Sequence, residues 1–168
     1  MRAFRADPDG TIIAPVDRDE ALLLQSLASQ ITTLLREGDP GDPAVVRMLP
    51  DAYPDDARAS AEFRRFTASG LIDRKVANAG TVMMTLSSAI ETGEVRLDAG
   101  EAGAWLRCLT DIRLTLATRL GIESDDQPPS EDTLLQDLYD WLGSLQNSLV
   151  DAVDDAADDA AVPGSSDG

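Results

Sequence analysis

WLRCLTDIRLTLATRLGI, residues 105–122, is the stretch from which the fold can be read. At 100° per residue Trp105, Leu109, Ile112, Leu116 and Leu120 fall within about 80° of one another, which predicts a helix with a single apolar face. Asp98 with Glu101 forms a capping-box pattern upstream, and Gly121 supplies a C-terminal stop. Cys108 lies roughly 80° from the centre of that face, so the wheel predicts a partly exposed thiol at its edge. Arg113 and Arg119 flank the stripe on opposite sides, where pairing with carboxylates is expected. Leu114 points almost directly away from it, which predicts a second helix packed over that side.

Outward from this helix the chain repeats the pattern. MRAF and TIIA around DPDG predict a small N-terminal β-hairpin. Asp17 and Glu20 form another capping box, opening a helix whose apolar positions are Leu24, Leu27, Ile31, Leu34 and Leu35, and Gly38 ends it. Asp42 or Pro43 opens a short helix through Val45, Val46 and Leu49, before LPDAYPDD breaks the chain. From Asp55 the pattern is helical again, with a turn expected at Ala68–Gly70. Ile72, Val76, Ala79, Met83, Leu86 and Ile90 then form a short coiled-coil-like seam that Gly93 stops. VRLD reads as a short strand. After the 105–122 helix, QPPSEDT gives a loop with Ser130 as N-cap, and Leu134, Leu138, Trp141 or Leu142, Leu145 and Leu149 make a last amphipathic stripe. The expected fold is mainly α: a bundle of about five helices with a small N-terminal hairpin. It forms a single domain over residues 1–150, followed by a disordered acidic tail over 151–168 whose aspartates repel one another.

Composition narrows the function. The 168 residues carry 43% hydrophobic side chains and a net charge of −17, with one cysteine and no histidine. Residues 1–119 hold 14 basic and 18 acidic side chains, whereas 120–168 hold 13 acidic ones and no basic one. The second part repels phosphate backbones, so direct DNA binding is disfavoured and a neutral or basic protein partner is expected. No run is long and apolar enough for a membrane span, and the charged start MRAFRADPDG does not read as a signal peptide, so a cytoplasmic location is expected. A lone cysteine rules out an internal disulfide.

Candidate chemistry is sparse. Without histidine, a phosphate loop, a nucleophile elbow or a zinc-protease motif, neither catalysis nor a cofactor is expected. A metal would lack soft ligands beyond Cys108. Arg107 beside Cys108 favours a thiolate, while Asp111 opposes it, so the thiol reads first as a small packing residue and second as a reactive group. The most basic stretch, ARASAEFRRFTASGLIDRK (57–75), has a net charge near +3 and the outline of a helix-turn-helix. Its phenylalanines are spaced as core residues, so a solvated or protein-binding face is the first reading.

Several of these stretches match one pattern. MRAFR, LPDAYPDD followed by EFRRFT, and WLRCLTDIRLTLATRLGI together resemble an actinobacterial domain-of-unknown-function family, the one that includes the oxidative-stress transcriptional regulator AosR. The resemblance covers roughly residues 1–150. It implies a regulator that acts under oxidative stress through protein–protein contact with RNA polymerase or a sigma factor. Its alternative is an accessory or adaptor factor of ClpS/Clp-dependent proteolysis. Under either reading Arg64, Arg65 and Arg113 are the candidate partner contacts and Cys108 is the redox candidate. The family regulator's switch is associated with a CxxxC pair. Here the positions four before and four after Cys108 are Ala104 and Ile112, so that switch is missing from this sequence.

Overall fold

The structure is a computed structural model and describes residues 1–49, 57–123, 127–128 and 131–162, with the backbone alone for 57–67. The described residues form five helices and one small antiparallel sheet: α1 (Arg18–Glu37), α2 (Pro43–Met48), α3 (Ala57–Thr92), α4 (Ala99–Leu120) and α5 (Thr133–Ala161), with β1 (Arg5–Ala6), β2 (Ile12–Pro15) and β3 (Glu94–Leu97). The mainly α bundle with its N-terminal hairpin is therefore the observed architecture.

The expected hairpin gains a third strand. β1 pairs with β2, and β2 with β3, in the order β1-β2-β3. The turn closes through Asp7 N–H donating to the Thr11 carbonyl at 2.8 Å, with Gly10 at φ 87° where a side chain would be strained. Ile12, Ala14, Val95 and Leu97 join the main core, as alternation along a strand requires, while Ile13 between them is buried outside that cluster. Arg96 on β3 reaches Asp7 and Asp9 of the β1–β2 turn and Glu94 of its own strand at 3.2 to 3.3 Å, which ties β3 to the hairpin turn.

The helix starts follow their caps. The Asp17–Glu20 and Asp98–Glu101 capping boxes both form, with each side chain bonded to the other's backbone N–H. Asp42 caps α2, and its carboxylate is gripped at both oxygens by the Arg119 guanidinium, at 3.1 and 2.7 Å. Gly121 ends α4 in the left-handed region at φ 70°. Helix α5 starts at Asp132, whose carboxylate accepts from Leu135 N–H; the expected cap, Ser130, lies outside the described residues.

Three expectations are corrected. No turn forms at Ala68–Gly70: α3 runs unbroken for 36 residues, about 54 Å at the helical rise, so the helix-turn-helix outline does not exist. One glycine inside a helix costs only about 1 kcal/mol, which packing against α1 and α4 offsets. The buried line of α3 is Ala79, Val82, Leu86 and Ala89, with Ile72, Val76, Met83 and Ile90 as its half-buried flanks. Helix α5 carries its backbone past residue 150 to Ala161. Leu149 and Ala152 still bury against the core there, and the alanines of the following segment sustain helix where the aspartates oppose it.

Helix α4 is the central element, packed against α3, α5, α2 and α1. Trp105 is fully buried; its indole N–H donates to Thr85 Oγ1 at 2.9 Å, and Phe4 meets its ring edge-on at 5.6 Å. With partners on several sides, α4 buries more than one stripe. Ala104, Cys108, Asp111 and Ala117 are enclosed along with the expected Trp105, Leu109, Ile112 and Leu116. Leu114, expected under a covering helix, is half-buried against the core.

Candidate functional site

The second buried face of α4 corrects the placement of Cys108. The thiol is 1% exposed, because α4 is wrapped on the side that a one-faced helix would leave open. Burial first, and then the neighbouring Asp111 carboxylate, push its pKa up to about 12, with Lys75 acting in the opposite direction. Such a thiol holds almost no thiolate near neutrality, and the thiolate is the reactive form.

One turn along α4, Asp111 is buried at 3% exposure. Its Oδ1 takes a 2.7 Å ion pair from Lys75 Nζ, reaching across from α3. Its Oδ2, also buried, has no partner among the described residues. Burial raises the Asp111 pKa above its ordinary value, with the Lys75 hydrogen bond and charge opposing. Lys75 is the chain's only lysine, and it is turned inward rather than left in solvent.

These two residues form the floor of an open groove between α3 and α4, of about 650 Å³ and lined also by Leu71, Arg74, Asn78, Arg107 and Thr110. Arg74 and Arg107 are exposed at its rim, and neither makes an ion pair among the described residues. The groove thus sets three cations against one carboxylate, in a chain whose overall charge is −17.

The other sequence candidates lie apart from it. Arg64 and Arg65 sit on the backbone of α3, with side chains outside the described residues. Arg113, expected beside a carboxylate, is folded onto α5 instead. Its guanidinium carbon stands 4.4 Å from the Tyr139 ring centroid and Nη1 donates to Gln146 Oε1 at 3.1 Å, while its buried Nε has no acceptor among the described residues. Arg119 does pair as expected, with Asp42. Among the described residues no cluster of histidine, cysteine and carboxylate side chains could hold a metal ion, and no helix is long and apolar enough to cross a membrane.

Sequence reasoning missed the groove because Lys75 and Asp111 are 36 residues apart and on different helices. The available signals were the solitary lysine and an aspartate interrupting the apolar rows of α4.

Residues 1–153 match the family described as domain of unknown function DUF2017. The chain belongs to the DUF2017 family. It is similar to proteins named oxidative stress regulator AosR from Mycobacterium bovis and Mycobacterium tuberculosis, each 28% identical over 169 aligned positions that cover 78% of this chain and 77% of the relative. A Mycobacterium leprae protein bearing the same regulator's name is 29% identical over 144 positions, covering 74% of this chain and 65% of its own length. No solved structure matches the chain at a significant level.

Proposed function

We propose that this DUF2017 protein is an oxidative-stress-linked transcriptional regulator that acts through protein–protein contact with RNA polymerase or a sigma factor. The observation that carries the reading is its similarity, over three quarters of its length, to proteins named oxidative stress regulator AosR. The distribution of charge supports a protein partner over DNA: the acidic last third repels phosphate backbones, and the helix-turn-helix outline is replaced by one continuous helix.

In this reading Cys108 packs rather than senses. Its thiol is enclosed and its pKa is raised, so the oxidant signal reaches the protein through its partner or through its abundance. Arg64 and Arg65 on α3 are the proposed contact residues, since Arg113 is engaged within the fold. The test is direct binding of the purified chain to purified core polymerase and to individual sigma factors, with and without peroxide. Saturable binding that Arg64→Glu/Arg65→Glu weakens and Cys108→Ser leaves unchanged is expected. Binding to a Clp adaptor with none to polymerase or sigma factors would move the protein to regulated proteolysis.

A further inference from the structure

We propose that the groove between α3 and α4 is a binding site for a small phosphate monoester, held by Arg74, Lys75 and Arg107. Three observations lead there. The groove is a concave space of about 650 Å³, within the usual range for small-molecule sites. Its three cations face one carboxylate, leaving two positive charges to be matched, and a phosphate monoester carries close to two negative charges near neutrality. Its donors are also incompletely matched: Lys75 has three N–H donors and gives one to Asp111 among the described residues.

The elements divide the work. Asp111 anchors the Lys75 ammonium at the floor, where a free lysine side chain would otherwise sample many rotamers. The planar forks of Arg74 and Arg107 at the rim suit paired phosphate oxygens, which a lone ammonium cannot grip bidentately. Leu71 and Ala77 offer an apolar wall for the organic part of the ligand. The groove is an open trough on two rigid helices, so the site exists before the ligand arrives. This proposal is independent of the polymerase reading, because binding is read on the isolated chain.

The test is titration of the full chain with phenyl phosphate at low salt, followed by calorimetry and by backbone amide shifts, with benzenesulfonate and phenol as the monoanionic and uncharged controls. Expected are saturable binding, shifts centred on Arg74–Asn78 and Arg107–Asp111, the order phenyl phosphate over benzenesulfonate over phenol, and weakening as salt is added. Arg74→Ala/Arg107→Ala should bind at least about tenfold more weakly, as loss of two charge-assisted contacts requires. Both arginines are exposed, so the variant should melt with the parent; if it does not, Arg107→Gln alone gives the same readout. Equal affinity in parent and variant, equal affinity for phenol, or no saturable binding at millimolar phenyl phosphate overturns the assignment. A short phosphoserine peptide that binds about tenfold tighter than phenyl phosphate also overturns it, in favour of a protein-docking site.

Discussion

Lys75 Nζ and Asp111 Oδ1 stand 2.7 Å apart across α3 and α4, in a pair whose carboxylate is nearly fully buried and whose second oxygen has no partner among the described residues. A half-satisfied buried pair is poor evidence for stability, because desolvation of the two charges offsets much of their attraction. It is better evidence for a fixed arrangement: the pair sets the register of α3 against α4 and holds an ammonium at the floor of the groove.

Removing only one partner should therefore be the damaging change. Lys75→Met leaves the Asp111 charge buried and should destabilise the chain by about 3 kcal/mol in urea unfolding. The double variant Lys75→Met/Asp111→Leu should return to within about 1 kcal/mol of the parent, since two apolar side chains replace two desolvated charges. If the double variant is as unstable as the single one, the pair contributes net stability and this account of it fails.

The same carboxyl gives a pH signature. Burial raises the folded pKa of Asp111 above 3.8, so the folded state holds that proton more tightly than the unfolded chain does. The resulting stabilisation is complete below pH 3.8 and is lost as pH rises through the raised folded value. Asp111→Asn removes the titration. The parent should thus lose stability relative to the variant as pH climbs above 3.8, in parallel urea series. A parent–variant difference that is flat across that range would show that Asp111 titrates alike in both states.

Cys108 should be inert while the protein is folded. The rise from 9.0 to about 12 corresponds to about a thousandfold less thiolate near neutral pH, before the steric barrier of burial is added. Iodoacetamide labelling followed by mass spectrometry should accordingly be at least about a thousandfold slower on the folded chain than in urea. Peroxide should leave Cys108 unmodified in the folded protein, read on the Cys108-containing peptide, over the time in which it oxidises the same thiol in the unfolded chain. Labelling at comparable rates in the two states would reinstate Cys108 as a redox residue.

The sequence made the elements legible wherever local chemistry specifies them. Asp17 with Glu20, Asp98 with Glu101, Gly93 and Gly121 mark their helix ends through backbone groups within a few residues, and all four act where the pattern places them. Two failures share a cause, which is that periodicity describes one face at a time. Cys108 stands at the edge of the Trp105–Leu120 stripe, and only the packing of α3, α2 and α5 around α4 turns that edge into core. The groove is invisible for the same reason, because Lys75 reads as one more charge in a basic run until α3 crosses α4. The unbroken α3 fails differently: Ala68, Ser69 and Gly70 resemble a turn, but none of them forbids a helix whose apolar line continues on the far side.

Gly143 and Arg113 supply a test of tight packing between α4 and α5. A methyl group at Gly143 would lie 3.0 Å from Arg113 Nη2 and 3.1 Å from Cζ, and the guanidinium is held in place by the Tyr139 ring and Gln146. Glycine here lets a cation lie flat against the α5 backbone. Two effects then oppose each other in Gly143→Ala: a gain of about 1 kcal/mol in helix propensity and the displacement of Arg113 from its ring and its amide. In the parent the displacement should cancel the gain or exceed it. In an Arg113→Ala background nothing opposes the gain, so the same substitution should stabilise by about 1 kcal/mol. The coupling in the double-mutant cycle measures the contact directly. Equal effects in both backgrounds would mean that Arg113 moves aside freely and that its place over Tyr139 contributes nothing to holding α4 against α5.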